Sequence, residues 1–106
     1  MSKYLIEVSY TAEGAKGVLK DGGSKRVEAA RAAIQSVGGT LESMYFAFGK
    51  SDAIVIVDIP DPASMAAAAL AISASGSVTS RTTVLLTAAD VDAAARKTPA
   101  YTPPGR

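Results

Sequence analysis

Six polar side chains stand near the aromatic stretches of this chain: Tyr10, Tyr45, Lys50, Ser51, Asp52 and Arg81. Two phenols with a hydroxyl, a carboxylate and a guanidinium can line a pocket, with Asp52 at its rim as base or hydrogen-bond acceptor. The same residues also have plainer uses. An aspartate in a short connection caps the turn by accepting backbone N–H bonds. Tyrosines commonly bury their rings in a core and leave the hydroxyl at the surface. Both readings stay open, and the candidate ligand-binding set is Tyr10, Tyr45, Ser51, Asp52 and Arg81, with no residue given a catalytic role. Asp58 interrupts an apolar run, so its carboxylate is expected either to pair, with Arg81 as the plausible partner, or to reach solvent near the strand end.

Other chemistry is excluded by composition. The 106 residues contain neither histidine nor cysteine. That removes the commonest general base, a thiolate nucleophile, disulfides, and the usual ligands of zinc and haem. No acidic cluster has calcium or magnesium spacing, so no metal and no cofactor are expected. Gly14-Ala15-Lys16-Gly17 and Gly22-Gly23-Ser24-Lys25 resemble phosphate loops only superficially, since neither has Walker or dinucleotide spacing. A helix start at Ser24 with Lys25 and Arg26 offers an anion site on paper, yet most such ends are merely capped. Eleven basic residues against ten acidic ones give a net charge of +1. Such balance argues against a dedicated nucleic-acid or anionic-membrane partner.

Positioning these residues falls to a simple series of elements. Residues 3–10 alternate, with Tyr4, Ile6, Val8 and Tyr10 on one side, which predicts a half-buried strand. Thr11 is a candidate cap for a short helical turn over residues 15–20, and Gly22-Gly23 then breaks the chain. Ser24 starts a helix to Val37 with Val27, Ala30, Ile34 and Val37 as its apolar stripe. Its other faces, Lys25 and Arg26 included, read as solvated, and Gly38-Gly39 stops it. Strands follow over residues 40–48 and 53–59, joined by a hairpin-length connection through Gly49-Lys50-Ser51-Asp52. Asp61 and Pro62 open a second helix to about Ala74 that is apolar all round. A fourth strand over residues 78–86 and a helix capped by Thr87 and Asp90 complete the series. Residues 98–106, with Pro99, Pro103 and Pro104, form an extended tail.

Strand, helix, strand, strand, helix, strand is the split βαβ pattern of ferredoxin-like folds. The expected class is therefore α+β, ferredoxin-like βαββαβ with an additional C-terminal helix, as one domain over residues 1–97. Two helices on one side of a four-stranded sheet leave the other side bare. Because apolar residues point both ways from the second and third strands, the bare side is expected to be covered by a second copy. A homodimer, or a higher oligomer of dimers using the outer side of the second helix, follows. A lysine on the sheet face, at Val57 or Ile56 according to register, is then expected to give unfolded or aggregated protein. The start Met1-Ser2-Lys3-Tyr4-Leu5-Ile6-Glu7 lacks the apolar core of a signal peptide, and the long uncharged stretch after Asp61 is too alanine-rich for a membrane span. A cytoplasmic location is the expectation.

Several blocks resemble one family. Ser9-Tyr10-Thr11-Ala12-Glu13-Gly14, Tyr45-Phe46-Ala47-Phe48-Gly49 with Asp52, Ala74-Ser75-Gly76 and Thr82-Thr83-Val84-Leu85-Leu86-Thr87 are similar, in order, to the small bacterial GYD-domain proteins. Gly49 and Asp52 match the glycine and aspartate of the signature, and Ser51 stands where its tyrosine is expected. The resemblance extends to about Lys97 and implies the dimeric α+β barrel architecture, two sheets face to face with a pocket between each sheet and its helices. It implies no defined activity. The expected function is a small oligomeric protein, structural or binding a small apolar ligand, without cofactor. The alternative is a cofactor-independent oxygenase, isomerase or cyclase acting on a small apolar or aromatic compound, by analogy with barrels of similar shape.

Overall fold

The computed structural model describes residues 2–106. Alternation in the first segment yields β1 (Ser2–Tyr10), which buries Tyr4 and Ile6 on one side. It is followed by α1 (Ala12–Ser36), β2 (Thr40–Phe46), β3 (Ala53–Ile59), α2 (Pro62–Ala74), β4 (Val78–Leu85) and α3 (Ala88–Ala95). The four strands form one antiparallel sheet in the order β2-β3-β1-β4. The class is α+β, and element order and sheet together fit a ferredoxin-like pattern.

The first helix differs from the sequence expectation. It begins at once after Thr11, whose hydroxyl accepts from the Gly14 N–H at 3.2 Å, rather than as a short turn from residue 15. The expected break at Gly22-Gly23 is present as a kink at Gly22, with φ 79° and ψ 171°, a left-handed φ that favours glycine. Ser24 lies inside the resumed helix and makes no capping bond among the described residues. At the other end, Gly38 N–H donates to Gln35 O and Gly39 N–H to Ile34 O, both at 3.0 Å. This is the Schellman closure expected from Gly38-Gly39. The remaining caps are as anticipated: Asp61 accepts from the Ser64 N–H at 2.8 Å, and Thr87 and Asp90 form a reciprocal capping box.

Register assigns the faces, because directly opposed residues of antiparallel strands share a side. Tyr4, Ile6, Val55, Val57 and Ile59 face the helices and pack with Ile34, Met65 and Ala68 in the core. The opposite, open side carries Leu5, Ile54 and Ile56, aligned across β1 and β3, with Tyr45 opposite Ile54 and Ser43 opposite Ile56 on β2. Of the two positions raised for the sheet face, Ile56 is therefore open and Val57 is core. Asp58 pairs with Lys3, directly opposite on β1, at 3.3 Å, and not with Arg81, which lies opposite Glu7. The register shift between Leu41 and Ser43 leaves Glu42 to reach the same lysine. Hydrogen bonding to Glu42, partly offset by desolvation and reinforced by Asp58, holds the Lys3 ammonium above its ordinary pKa. Among the described residues, no helix is long and apolar enough to cross a membrane.

Candidate functional site

The two large helices pack on opposite halves of the sheet, α1 mainly against β2 and α2 mainly against β4. Over the sheet α1 presents Ala29, Ala30 and Ala33, while Ala67, Ala68 and Ala71 of α2 line the cleft alongside. Such short side chains cannot close the space over the sheet. A cavity of about 120 Å³ remains, reaching down to Ile6, Ile34 and Val55 and walled by Val8, Met44, Ile72 and Val78. A concave site with apolar walls and a few convergent polar groups is the usual form of a small-molecule site.

Two polar side chains enter this lining, Tyr10 and Arg26. Tyr10 is the last residue of β1 and is half-buried. Arg26 stands four residues before Ala30 and eight before Ile34, so the helical repeat carries it to the cavity side of α1. It is half-buried too, and it also borders the two clefts beside the cavity. Among the described residues, no ion pair within 4.0 Å involves its guanidinium. One adjoining cleft carries Glu13 and Asp21, both exposed.

The five residues singled out in the sequence do not converge. Tyr10 lines the cavity. Tyr45 lies on the open side of the sheet with its side chain 70% exposed, so the two phenols belong to opposite faces. The Asp52 carboxylate accepts the Tyr10 backbone N–H at 2.9 Å, while the Asp52 N–H donates to Val8 O at 2.8 Å. Its carbonyl accepts from the Ala47 N–H at 2.9 Å and closes the β2–β3 connection. Asp52 thus continues the ladder beside β1 past the point where β3 begins. Ser51 is buried, and its hydroxyl donates to Glu7 Oε2 at 3.4 Å. Arg81 is exposed on β4, where with Ser51, Glu7, Ser9 and Thr79 it borders a shallow polar depression. Among the described residues, no three His, Cys, Asp or Glu side chains gather as a metal site would require.

From sequence, Arg26 figures only at the start of its helix and otherwise falls on a solvated face, whereas it is half-buried and lines the cavity; Ala29 and Ala33 go unmarked there. Their signal was positional: Arg26, Ala30, Ala33 and Ile34 share one helical stripe, and a cation within an apolar stripe is conspicuous once the helix is drawn.

No curated protein and no solved structure matches the chain. The family model of the GYD domain matches residues 4–95, a span that runs from β1 into α3 and includes every residue lining the cavity. By that match across the sheet and both packing helices, the chain belongs to the GYD-domain family.

Proposed function

We propose that this protein binds a small apolar molecule in the cavity between its sheet and helices, and that it does so as a dimer joined through the open sheet face. The observation that carries the binding role is the alanine-walled opening over Ile6, Ile34 and Val55. Natural cores are close-packed, and an unfilled apolar space forfeits dispersion contacts with every wall. A dry apolar cavity of about 150 Å³ accommodates a benzene-sized molecule, so the space here suits a single ring or a short branched chain.

The assembly rests on the other face. Leu5, Ile54 and Ile56 on the open side are half-buried, and Tyr45 beside them is mostly exposed. The α3 helix buries none of its residues, and a helix of eight residues is marginal in isolation. A second copy supplies cover for both, in the manner of a dimeric α+β barrel.

Native mass spectrometry of protein as purified, with Ala33→Phe beside it, tests the binding role. Ala33 is exposed at the cavity mouth, so phenylalanine there blocks entry without overpacking the core. A co-purified small mass, or uptake of added toluene, that is present in the parent and lost in the folded variant is the expected result. A parent that carries nothing and takes up no toluene overturns the reading.

A further inference from the structure

We infer that the molecule held in this cavity is an acid: a compact apolar body seated against Ile34, Met44 and Val55, with its carboxylate at the mouth on Arg26. The inference rests on the binding role proposed above and adds the chemical class of the ligand. Every other lining side chain except Tyr10 is apolar, so a wholly apolar ligand gives the guanidinium nothing to contact. Arginine loses hydration when something seats against it, and a half-buried guanidinium without an ion pair is stabilised by an incoming carboxylate. Its planar fork of donors matches two carboxylate oxygens at once.

Position supports the same assignment. Arg26 borders the cavity and both neighbouring clefts, so its head group stands at the rim while the walls below it stay apolar. Tyr10, on the facing strand, adds a phenolic hydroxyl that makes no side-chain hydrogen bond among the described residues, and it can donate to the same anion. Glu13 and Asp21 in the adjoining cleft are exposed, and solvent screens them from the cavity interior. They also set the competing possibility, that Arg26 is occupied by its own helix's acids. In that case no preference for an anion remains.

Calorimetric titration of the 106-residue chain with benzoate and with benzamide, its neutral counterpart of nearly equal shape, decides the matter. The parent should bind benzoate at least about tenfold more tightly than benzamide, the size of one good charge-assisted contact. Arg26→Gln should bring the two affinities together by weakening benzoate alone, with the melting temperature held near that of the parent. Arg26→Lys keeps the charge but loses the fork, and should restore part of the preference. Equal affinities in the parent, or a preference for benzoate that survives Arg26→Gln, overturn the acid while leaving an apolar cavity in place. Binding of neither probe also overturns the acid, and uptake of toluene by the same protein then decides separately whether the cavity reading stands.

Discussion

Asp52 shows how a single carboxylate serves an edge that the strand ladder cannot reach. β1 extends two residues beyond its last partner on β3, Val8 opposite Ala53. The Tyr10 N–H would point at nothing without the Asp52 side chain. Asparagine keeps an acceptor oxygen, so Asp52→Asn should cost about 1 kcal/mol or less. Alanine strands a half-buried donor, and Asp52→Ala should cost about 1–3 kcal/mol. Urea unfolding of the two variants measures the difference. Because Asp52 does not line the cavity, neither should change affinity for a cavity ligand in the folded protein. An asparagine variant with unchanged stability and abolished binding would show that the carboxylate serves the ligand instead. The site was only partly legible for a related reason. Tyr10 could be found because strand alternation fixes its side, whereas its pairing with Tyr45 required the β2–β3 register. Arg26 was lost among the charges of a helix whose exact phase decides which one turns inward.

At the scale of elements, local chemistry was the more legible part. Asp61-Pro62, Thr87 with Asp90, and Gly38-Gly39 each act where their capping preferences put them, since such bonds close within a few residues. The start of α1 was not legible, because a glycine is a poor helix former whereas the purpose of Gly14 is tertiary. A β-carbon at Gly14 would stand 2.0 Å from the Ser77 carbonyl oxygen, where the first turn of α1 crosses the entry to β4. Thr11 binds the same place, its N–H donating to Ser77 O at 3.0 Å. Gly17, one turn on, has nothing within 4 Å of a β-carbon. The two glycines should therefore respond with opposite sign. Gly14→Ala should destabilise by about 1–3 kcal/mol through overpacking against backbone. Gly17→Ala should stabilise by about 0.4–1 kcal/mol by restricting the unfolded chain. Equal or reversed shifts in denaturation midpoint would mean that the β1–α1 corner does not sit against Ser77.

For the whole molecule, the decisive contrast lies between two adjacent residues of β3. Val57 is fully buried against the helices, whereas Ile56 belongs to the half-buried open side, flanked by Leu5 on β1 and Ser43 on β2. The fold's own core lies entirely on the Val57 side, so a charge there removes the packing that holds sheet and helices together. Val57→Lys should yield unfolded or aggregated protein, the outcome anticipated from sequence for either position. A lysine at Ile56 leaves that core untouched and acts on the proposed dimer. A specific interface buries on the order of 800 Å² per subunit, and a cation desolvated at its centre without a partner is among the costliest defects such a contact can carry. Lys3 already engages Glu42 and Asp58 at one end of this face, and Glu7, opposite Ile54 on β1, is the nearest other carboxylate on that side, so the variant's sedimentation also reads whether that pairing compensates. Ile56→Lys should accordingly sediment as a monomer at micromolar concentration while keeping the parent's far-UV circular dichroism. The parent should sediment as a dimer or a multiple of one. A parent that is monomeric and well folded under the same conditions would mean that the open face stays exposed and that the barrel assembly is wrong. An Ile56→Lys protein that remains dimeric would move the contact elsewhere, with the exposed Leu70 side of α2 as the next surface to challenge.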